Sequence, residues 1–204
     1  ELLEPKRNQA QADRFPLCWT ANENFRKDVA PTYKAHRTRY DRRKPVGYRA
    51  VRRWAEQQFP SECWHRLEAD DVLGILGTRY QYKTVIWSGD KDLKQIPGLH
   101  LDNEGNIYHI SQLEADVYFY RQALTGDSTD GYPGCPGVGP KTAERLIEET
   151  GFDEAAAWRT VISQYKKKGL GADYALTQAR LARILRDTEY TFDEVQLWTP
   201  TSIP

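Results

Sequence analysis

Apolar positions along the chain follow two spacings that alternate. Val51, Trp54, Ala55 and Phe59 recur at helical spacing and stop before Pro60, which predicts an amphipathic helix. Val72, Leu73, Ile75, Leu76 and Tyr80 predict a second helix over 68–80, with acids at its start. Thr84-Val85-Ile86-Trp87-Ser88 is β-branched and apolar on both faces, the pattern of a strand buried in a parallel sheet, and it stops at Gly89-Asp90. Leu17-Cys18-Trp19-Thr20 reads as a shorter buried strand. Further helices are expected over 1–14, 116–124 and 142–149, and a late one is marked by Leu176, Ala179, Ala182 and Leu185. The stretch 32–45 is polar and basic, and 126–140 holds five Gly and three Pro. Helices alternating with short apolar strands predict an α/β fold.

Composition changes this picture little. With 39% hydrophobic and 28% charged residues, the 204-residue chain has enough apolar surface for a real core, and wholesale disorder is excluded. No apolar run approaches the roughly 18 residues of a membrane span, and the N-terminal residues do not read as a signal peptide. Cys18, Cys63 and Cys135 are odd in number and far apart, so neither a disulfide framework nor a zinc site is expected, and the reading is a reduced, cytosolic protein. Methionine is absent even at position 1, which implies that the natural chain starts elsewhere.

Charge adds more. Lys+Arg and Asp+Glu both total 29, yet residues 26–66 carry twelve basic residues against four acids. A basic segment beside acid-rich segments suits an enzyme that attracts a phosphodiester backbone and holds cations with carboxylates, although a charge run alone is more often a solvated face.

Three acidic groups stand out: Glu68-Ala-Asp70-Asp71 opening a helix, Ser88-Gly-Asp90-Lys-Asp92 ending the buried strand, and Gly126-Asp127-Ser-Thr-Asp130-Gly. Ligands of open α/β sheets bind beyond the carboxyl ends of strands, where Asp90 falls. Each group alone has a structural reading, as dipole-complementing acids or turn residues. Seven carboxylates at element boundaries, with no His or Cys among them, suit two Mg²⁺ or Mn²⁺ ions. The string Gly134-Cys-Pro-Gly137-Val138-Gly139-Pro140-Lys141-Thr142 nearly spells a P-loop but has Pro140 in the wrong place and no preceding strand. It matches instead the hairpin of a helix–hairpin–helix, whose backbone N–H groups approach a DNA phosphate.

These motifs, in this order, resemble the flap-endonuclease/5′-nuclease family. Phe25-Arg26-Lys27 followed by Pro31-Thr-Tyr33-Lys34-Ala-His-Arg37 fits its pattern too. Arg43-Lys-Pro-Val-Gly-Tyr48, Gln178-Ala-Arg-Leu-Ala-Arg183 and Leu197-Trp198-Thr-Pro200 are most similar to the 5′→3′ exonucleases of T7-type bacteriophages. The resemblance spans essentially the whole chain. It implies a single nuclease domain over 1–204: a PIN-like, mostly parallel central sheet flanked by helices, an arch over 32–60, a helix–hairpin–helix region over 126–170 and a C-terminal helical return over 171–204. It also implies metal ligation by Glu68, Asp70, Asp71, Asp90, Asp92, Asp127 and Asp130. Lys34 and Arg37 would contact the scissile phosphate, with Tyr33 stacking near unpaired nucleotides. Arg26, Arg39, Lys44, Gly137, Gly139, Lys141 and Thr142 would contact DNA, and K⁺ would bind at the hairpin. The implied partner of this monomer is double-stranded DNA with a 5′ end or flap, with an RNA/DNA hybrid as a further candidate and no membrane.

Two departures from the pattern matter. The family's first core strand, which carries an Asp ligand, has no counterpart here, and the nearest equivalent of another expected Asp is Ala21, read either as an inactivating substitution or as a slip of the alignment. The expected function is therefore a metal-dependent 5′→3′ exonuclease of phage replication or recombination, with a catalytically impaired, structure-specific DNA-binding relative as the alternative. An RNase of the PIN type is disfavoured by the hairpin, which suits duplex DNA. No Ser or Cys has an evident base partner for nucleophilic hydrolysis.

Overall fold

The computed structural model describes residues 3–39, 45–80, 83–151 and 153–201, the side chains of residues 38 and 39 excepted. Helix α1 (Leu3–Gln9) is shorter than the sequence suggests, because Gln11 turns into a left-handed φ of 50°. Strand β1 (Leu17–Cys18) runs parallel to β2 (Ser61–Glu62), and α2 (Arg26–Val29), α3 (His36–Arg39) and α4 (Tyr48–Gln58) connect them. After α5 (Ala69–Arg79), β3 (Val85–Trp87) pairs in parallel with β4 (Gly98–Leu101), which pairs antiparallel with β5 (Ile107–Ile110). Helices α6 (Gln112–Thr125), α7 (Pro140–Glu148), α8 (Glu154–Lys167) and α9 (Ala172–Ala182) follow, and the hairpin β6 (Tyr190–Thr191) and β7 (Glu194–Val195) comes last. The late helix stops at Ala182, so the expected helical return beyond α9 is an extended segment, a 3-10 turn and a short hairpin.

The expected central, mostly parallel sheet is corrected to separate pieces: among the described residues β1–β2 and β3–β4–β5 are not joined. A cavity of about 850 Å³ separates them, lined by Leu17, Trp19, Leu73, Leu76, Val85 and Trp87. Its presence explains why only Ile86 of β3 is fully buried, where a strand covered on both faces was expected. The Trp87 Nε1 faces no hydrogen-bond partner.

The largest core lies under the four C-terminal helices, where Phe119, Tyr120, Ala123 and Leu124 of α6 meet Trp158, Val161 and Tyr165 of α8, Ala179 of α9, and Trp198. The Tyr165 hydroxyl donates to the Ala123 carbonyl at 2.7 Å, satisfying the buried phenol. Helix α8 begins where the Asp153 carboxylate accepts the Ala156 N–H at 2.7 Å, an N-cap that the apolar pattern alone does not reveal. Helix α4 forms where expected, but its packing differs: Ala55 is its one buried residue, while Val51 is 64% and Trp54 56% exposed.

A buried ion pair fastens α2 to α5 and both to the chain leaving α9. The Arg26 guanidinium, 3% exposed, donates two 2.7 Å bonds to the Asp71 carboxylate, and also bonds to the Leu181 and Arg183 carbonyls. Asp71, wholly buried, further accepts the N–H groups of Glu68 (3.1 Å) and Leu185 (3.2 Å). Burial alone would lower the Arg26 pKa, but the charge of Asp71 and its hydrogen bond hold it well above its usual value. One expectation is thereby corrected: Arg26 faces the interior and not DNA. The Asp71 oxygens accept from Arg26 and two backbone amides.

Removing one partner of such a pair strands a buried charge. Asp71→Asn or Arg26→Leu is expected to lower unfolding free energy by about 3–5 kcal/mol, measured by urea denaturation. A loss no larger than the ~1 kcal/mol of a surface pair would refute this role.

Candidate active site

The helix α5 places its acids by its first turn. Glu68 is the N-cap and its side chain turns toward Lys34 and Tyr33, while Asp71, one turn on, points to Arg26. The Glu68 carboxylate accepts from Lys34 Nζ at 2.5 Å and from the Tyr33 hydroxyl at 2.9 Å, with Arg26 3.4 Å away. The Asp130 carboxylate meets the same groups from the other side: Tyr33 hydroxyl at 3.1 Å, Lys34 Nζ at 3.3 Å and Arg37 Nη2 at 2.6 Å. Burial raises the Glu68 pKa, but Arg26 and Lys34 outweigh it, leaving it below the usual range. Tyr33 is 2% exposed, so the expected stacking on nucleotides is corrected: its hydroxyl bridges two acids from inside the protein.

Lys34 lies before helix α3 and Arg37 within it. Lys34 has φ +53°, a left-handed conformation that side chains rarely adopt, and α3 begins only at His36. Its N–H donates to the Asp130 carbonyl at 2.8 Å, and Arg37 Nε donates to the Thr129 carbonyl at 3.2 Å. The segment 33–37 is therefore docked on the loop that carries Asp127 and Asp130. That loop is closed by Gly126 and Gly134, at φ 66° and 68°, where a methyl on either would overlap the backbone of the other. The Asp127 N–H donates to the Tyr132 carbonyl at 2.8 Å, and the Asp127 carboxylate accepts the Thr129 N–H at 2.6 Å.

Beyond β3, Asp90 caps a 3-10 turn, Lys91–Gln95, by accepting the Asp92 N–H at 2.9 Å. Asp92 Oδ1 is buried and has no hydrogen-bond partner. Burial, then Asp90, Asp71 and Glu68, push Asp70 up to about 7. Burial, then Asp90 and Asp127, push Asp92 up to about 6. Asp70, Asp90, Asp92 and Asp127 thus feel one another electrostatically, and the α5, β3 and 126–134 segments converge. Helix α6 contributes Tyr118, which sequence reasoning missed: burial and the charge of Asp92 push its phenol up to about 12. The sequence signal available was only its position on the helix leading into the Asp127 loop.

Among the described residues no three acids close round one point as a preformed metal cage does. An all-oxygen donor set, mutual repulsion and the orphaned Asp92 Oδ1 nevertheless fit Mg²⁺, which keeps several waters and takes one or two carboxylates directly. Ala21 lies at the edge of this group. Its N–H donates to the Leu67 carbonyl at 2.9 Å, and the neighbouring Thr20 Oγ1 accepts the Ala69 N–H at 3.1 Å.

The hairpin lies outside this constellation. Gly137 adopts φ +77°, Gly139 caps α7, and Pro140 takes the first helical position, where its missing N–H costs nothing. Gly137, Gly139, Lys141 and Thr142 are all exposed. The Arg39 side chain and the whole of Lys44 lie outside the described residues.

Residues 2–118 match the 5′-3′ exonuclease N-terminal resolvase-like domain, and residues 114–202 match the 5′-3′ exonuclease C-terminal SAM fold. The exodeoxyribonuclease of Enterobacteria phage T3 is 32% identical over 227 residues, covering 91% of this chain and 73% of the relative. The exonuclease of Escherichia phage T7 is 31% identical over 224 residues, covering 90% and 73%. Among solved structures, bacteriophage T5 flap endonuclease in a pseudo-enzyme-product complex with DNA and metal ions aligns with a TM-score of 0.69 at 15% identity, covering 91% of this chain and 79% of that one. A second T5 structure, co-crystallised with metal ions, gives a TM-score of 0.67 at 16% identity over 91% and 80%. At these identities the structural likeness shows the fold. The chain belongs to the 5′-3′ exonuclease family. Within it, this is a nuclease of the phage T7/T3 exonuclease type.

The raised Asp70 pKa has a stability consequence. Its folded value, about 7, lies above the unfolded value near 3.8, so the metal-free fold loses stability as pH rises between them. Asp70→Asn is therefore expected to raise the melting temperature in EDTA at pH 8, and to give no gain at pH 4, where the carboxyl is neutral in the fold. Equal effects at both pH values would contradict the repulsion.

Proposed function

We propose that this chain is a metal-dependent 5′→3′ exodeoxyribonuclease that hydrolyses phosphodiesters at the 5′ ends of duplex DNA during phage replication or recombination, with flaps and RNA primers as further substrates of the same site. The observation that carries the reading is the placement of Lys34 and Arg37 directly on Glu68 and Asp130, at the edge of the Asp70–Asp90–Asp92–Asp127 group. Phosphate-binding cations and cation-binding acids are thus interleaved at one place. When bound by Glu68, Asp70, Asp90, Asp92, Asp127 and Asp130, two Mg²⁺ or Mn²⁺ ions would supply positive charge to the attacking and leaving oxygens.

The chain's own groups do the rest. A phosphate entering the site competes with carboxylates for Lys34 and Arg37, and Arg37, whose side chain is 46% exposed, is the more accessible of the two. The Tyr33 hydroxyl, bonded to Glu68 and Asp130, fixes the orientation of both acids. Exposed amides at the start of α7, with Gly137, Gly139, Lys141 and Thr142, would hold a backbone phosphate of the duplex, and K⁺ at this hairpin belongs to the same reading.

The position of Ala21 favours a second reading, a catalytically impaired DNA-binding relative. A carboxylate there would join the acids at the entry of α5, and a methyl leaves that charge out. The two readings separate cleanly. On 5′-labelled blunt and flapped duplexes, product is expected with Mg²⁺ and none with EDTA. Lys34→Ala is expected to lower the rate at saturating DNA, while Lys141→Ala weakens binding and its salt dependence. Full activity in EDTA, or a Lys34→Ala effect confined to binding, would overturn the assignment.

Ala21→Asp is expected to raise the cleavage rate on the order of 10–100-fold, the scale on which perturbing a metal centre acts, with DNA affinity unchanged. A rate unaltered by Ala21→Asp would remove the impaired reading.

A further inference from the structure

Three neutral polar side chains are buried beside the acid-bearing segments. Gln95, Gln122 and Gln178 are 0%, 8% and 4% exposed, and a carboxamide taken from water is costly unless its polar atoms are paired. The pairings of all three lead toward the acids. The Gln178 Oε1 accepts the Gly134 N–H at 2.9 Å, which helps to close the loop that carries Asp127 and Asp130. Gln95 ends the 3-10 turn that holds Asp92, and side chains three apart on such a turn eclipse one another. The Gln95 Nε2 donates to the Ala182 carbonyl at 2.7 Å and to the Gln122 Oε1, while the Gln95 Oε1 accepts the Ile184 N–H at 3.3 Å.

These bonds fix the orientation of the Gln122 carboxamide. With its oxygen facing Gln95, its amide nitrogen is left to turn to the Asp92 carboxylate, to which it hydrogen-bonds. Tyr118, one turn earlier on the same face of α6, hydrogen-bonds Asp92 through its hydroxyl. Asp92 is thus held from α6 by two neutral donors, and its Oδ1 stays buried with no partner. Glu68 and Asp130 are held differently, by the cations Lys34 and Arg37. A neutral donor fixes the direction of a carboxylate without cancelling its charge, and that charge is what a divalent cation needs. Core packing alone would be served at 122 by an aliphatic side chain, with no polar group to desolvate.

We propose that Gln122 is a positioning residue for Asp92: its carboxamide, locked by Gln95 and aided by the Tyr118 hydroxyl, orients the carboxylate so that Oδ1 is the oxygen offered to a divalent cation. This rests on the reading of Asp92 as a metal ligand and adds to it the groups that aim the ligand. The test measures Mn²⁺ binding to the metal-free chain by electron paramagnetic resonance, without DNA, so that hydrolysis plays no part. Gln122→Met keeps the length of the side chain and loses the donor. It is expected to weaken Mn²⁺ binding on the order of 10–100-fold, the usual effect of removing an outer partner of a metal ligand. Tyr118→Phe, which takes only a hydroxyl from a half-buried ring, is expected to weaken binding in the same direction. Adding Gln95→Leu to Gln122→Met is expected to weaken it no further, because Gln95 acts through Gln122. Val161→Ala opens a cavity in the core under the C-terminal helices, and is expected to lower the melting temperature but leave Mn²⁺ affinity unchanged. Unchanged affinity in both Gln122→Met and Tyr118→Phe, or an equal loss in Val161→Ala, would overturn the proposal and leave the metal reading standing. Failure of Mn²⁺ to bind the unaltered chain would overturn both.

Discussion

The buried ion pair between Arg26 and Asp71 is the constraint on which the candidate site depends. It ties the start of α2, the first turn of α5 and the chain leaving α9 to one point. Asp71 is consumed by this pair, and Glu68 on the same turn, its side chain only 13% exposed, meets Lys34 and Tyr33. A planar guanidinium suits the role because its fork can serve two carboxylate oxygens and two carbonyls together. A lysine would leave some of them unpaired in the interior.

Around that anchor, the site is arranged as two kinds of acid. Glu68 and Asp130 are neutralised by Lys34 and Arg37, which explains how they coexist at short range. Asp70 and Asp92 form no such ion pair, and burial followed by neighbouring carboxylates pushes them up to about 7 and about 6. The backbone absorbs part of the arrangement, since Lys34 sits at positive φ, held there by its bond to the Asp130 carbonyl.

Much of this was legible in the sequence where local rules decide. The acids opening α5, the stop of β3 before Asp90, the Gly126–Gly134 loop and the Gly137–Gly139 hairpin all follow from spacing and turn chemistry. What was not legible depends on contacts distant along the chain. Arg26 and Asp71 look like any basic and acidic residue in charged stretches, and only their meeting across 45 positions buries them. Tyr33 sits among polar residues, and its burial comes from packing with Tyr132 and Leu181. The apolar face of α4 has the spacing of a packed helix yet is left open, because periodicity reports amphipathicity and not what covers the face. The break in the sheet likewise has no local signal: β1 and β3 are apolar runs, and nothing in either says that a cavity will lie between them.

The central claim is that burial, together with a cluster of like charge that a divalent cation relieves, keeps Asp70 and Asp92 partly protonated near neutral pH. Calorimetric titration of the metal-free protein with Mg²⁺, repeated in buffers of different ionisation enthalpy, counts the protons displaced. At pH 6.5 binding is expected to release on the order of one proton, because a cation lowers carboxyl pKa values that are raised without it. The release is expected to vanish by pH 9, where both groups are already ionised. Failure of Mg²⁺ to bind, or a proton count that does not change with pH, would contradict the account.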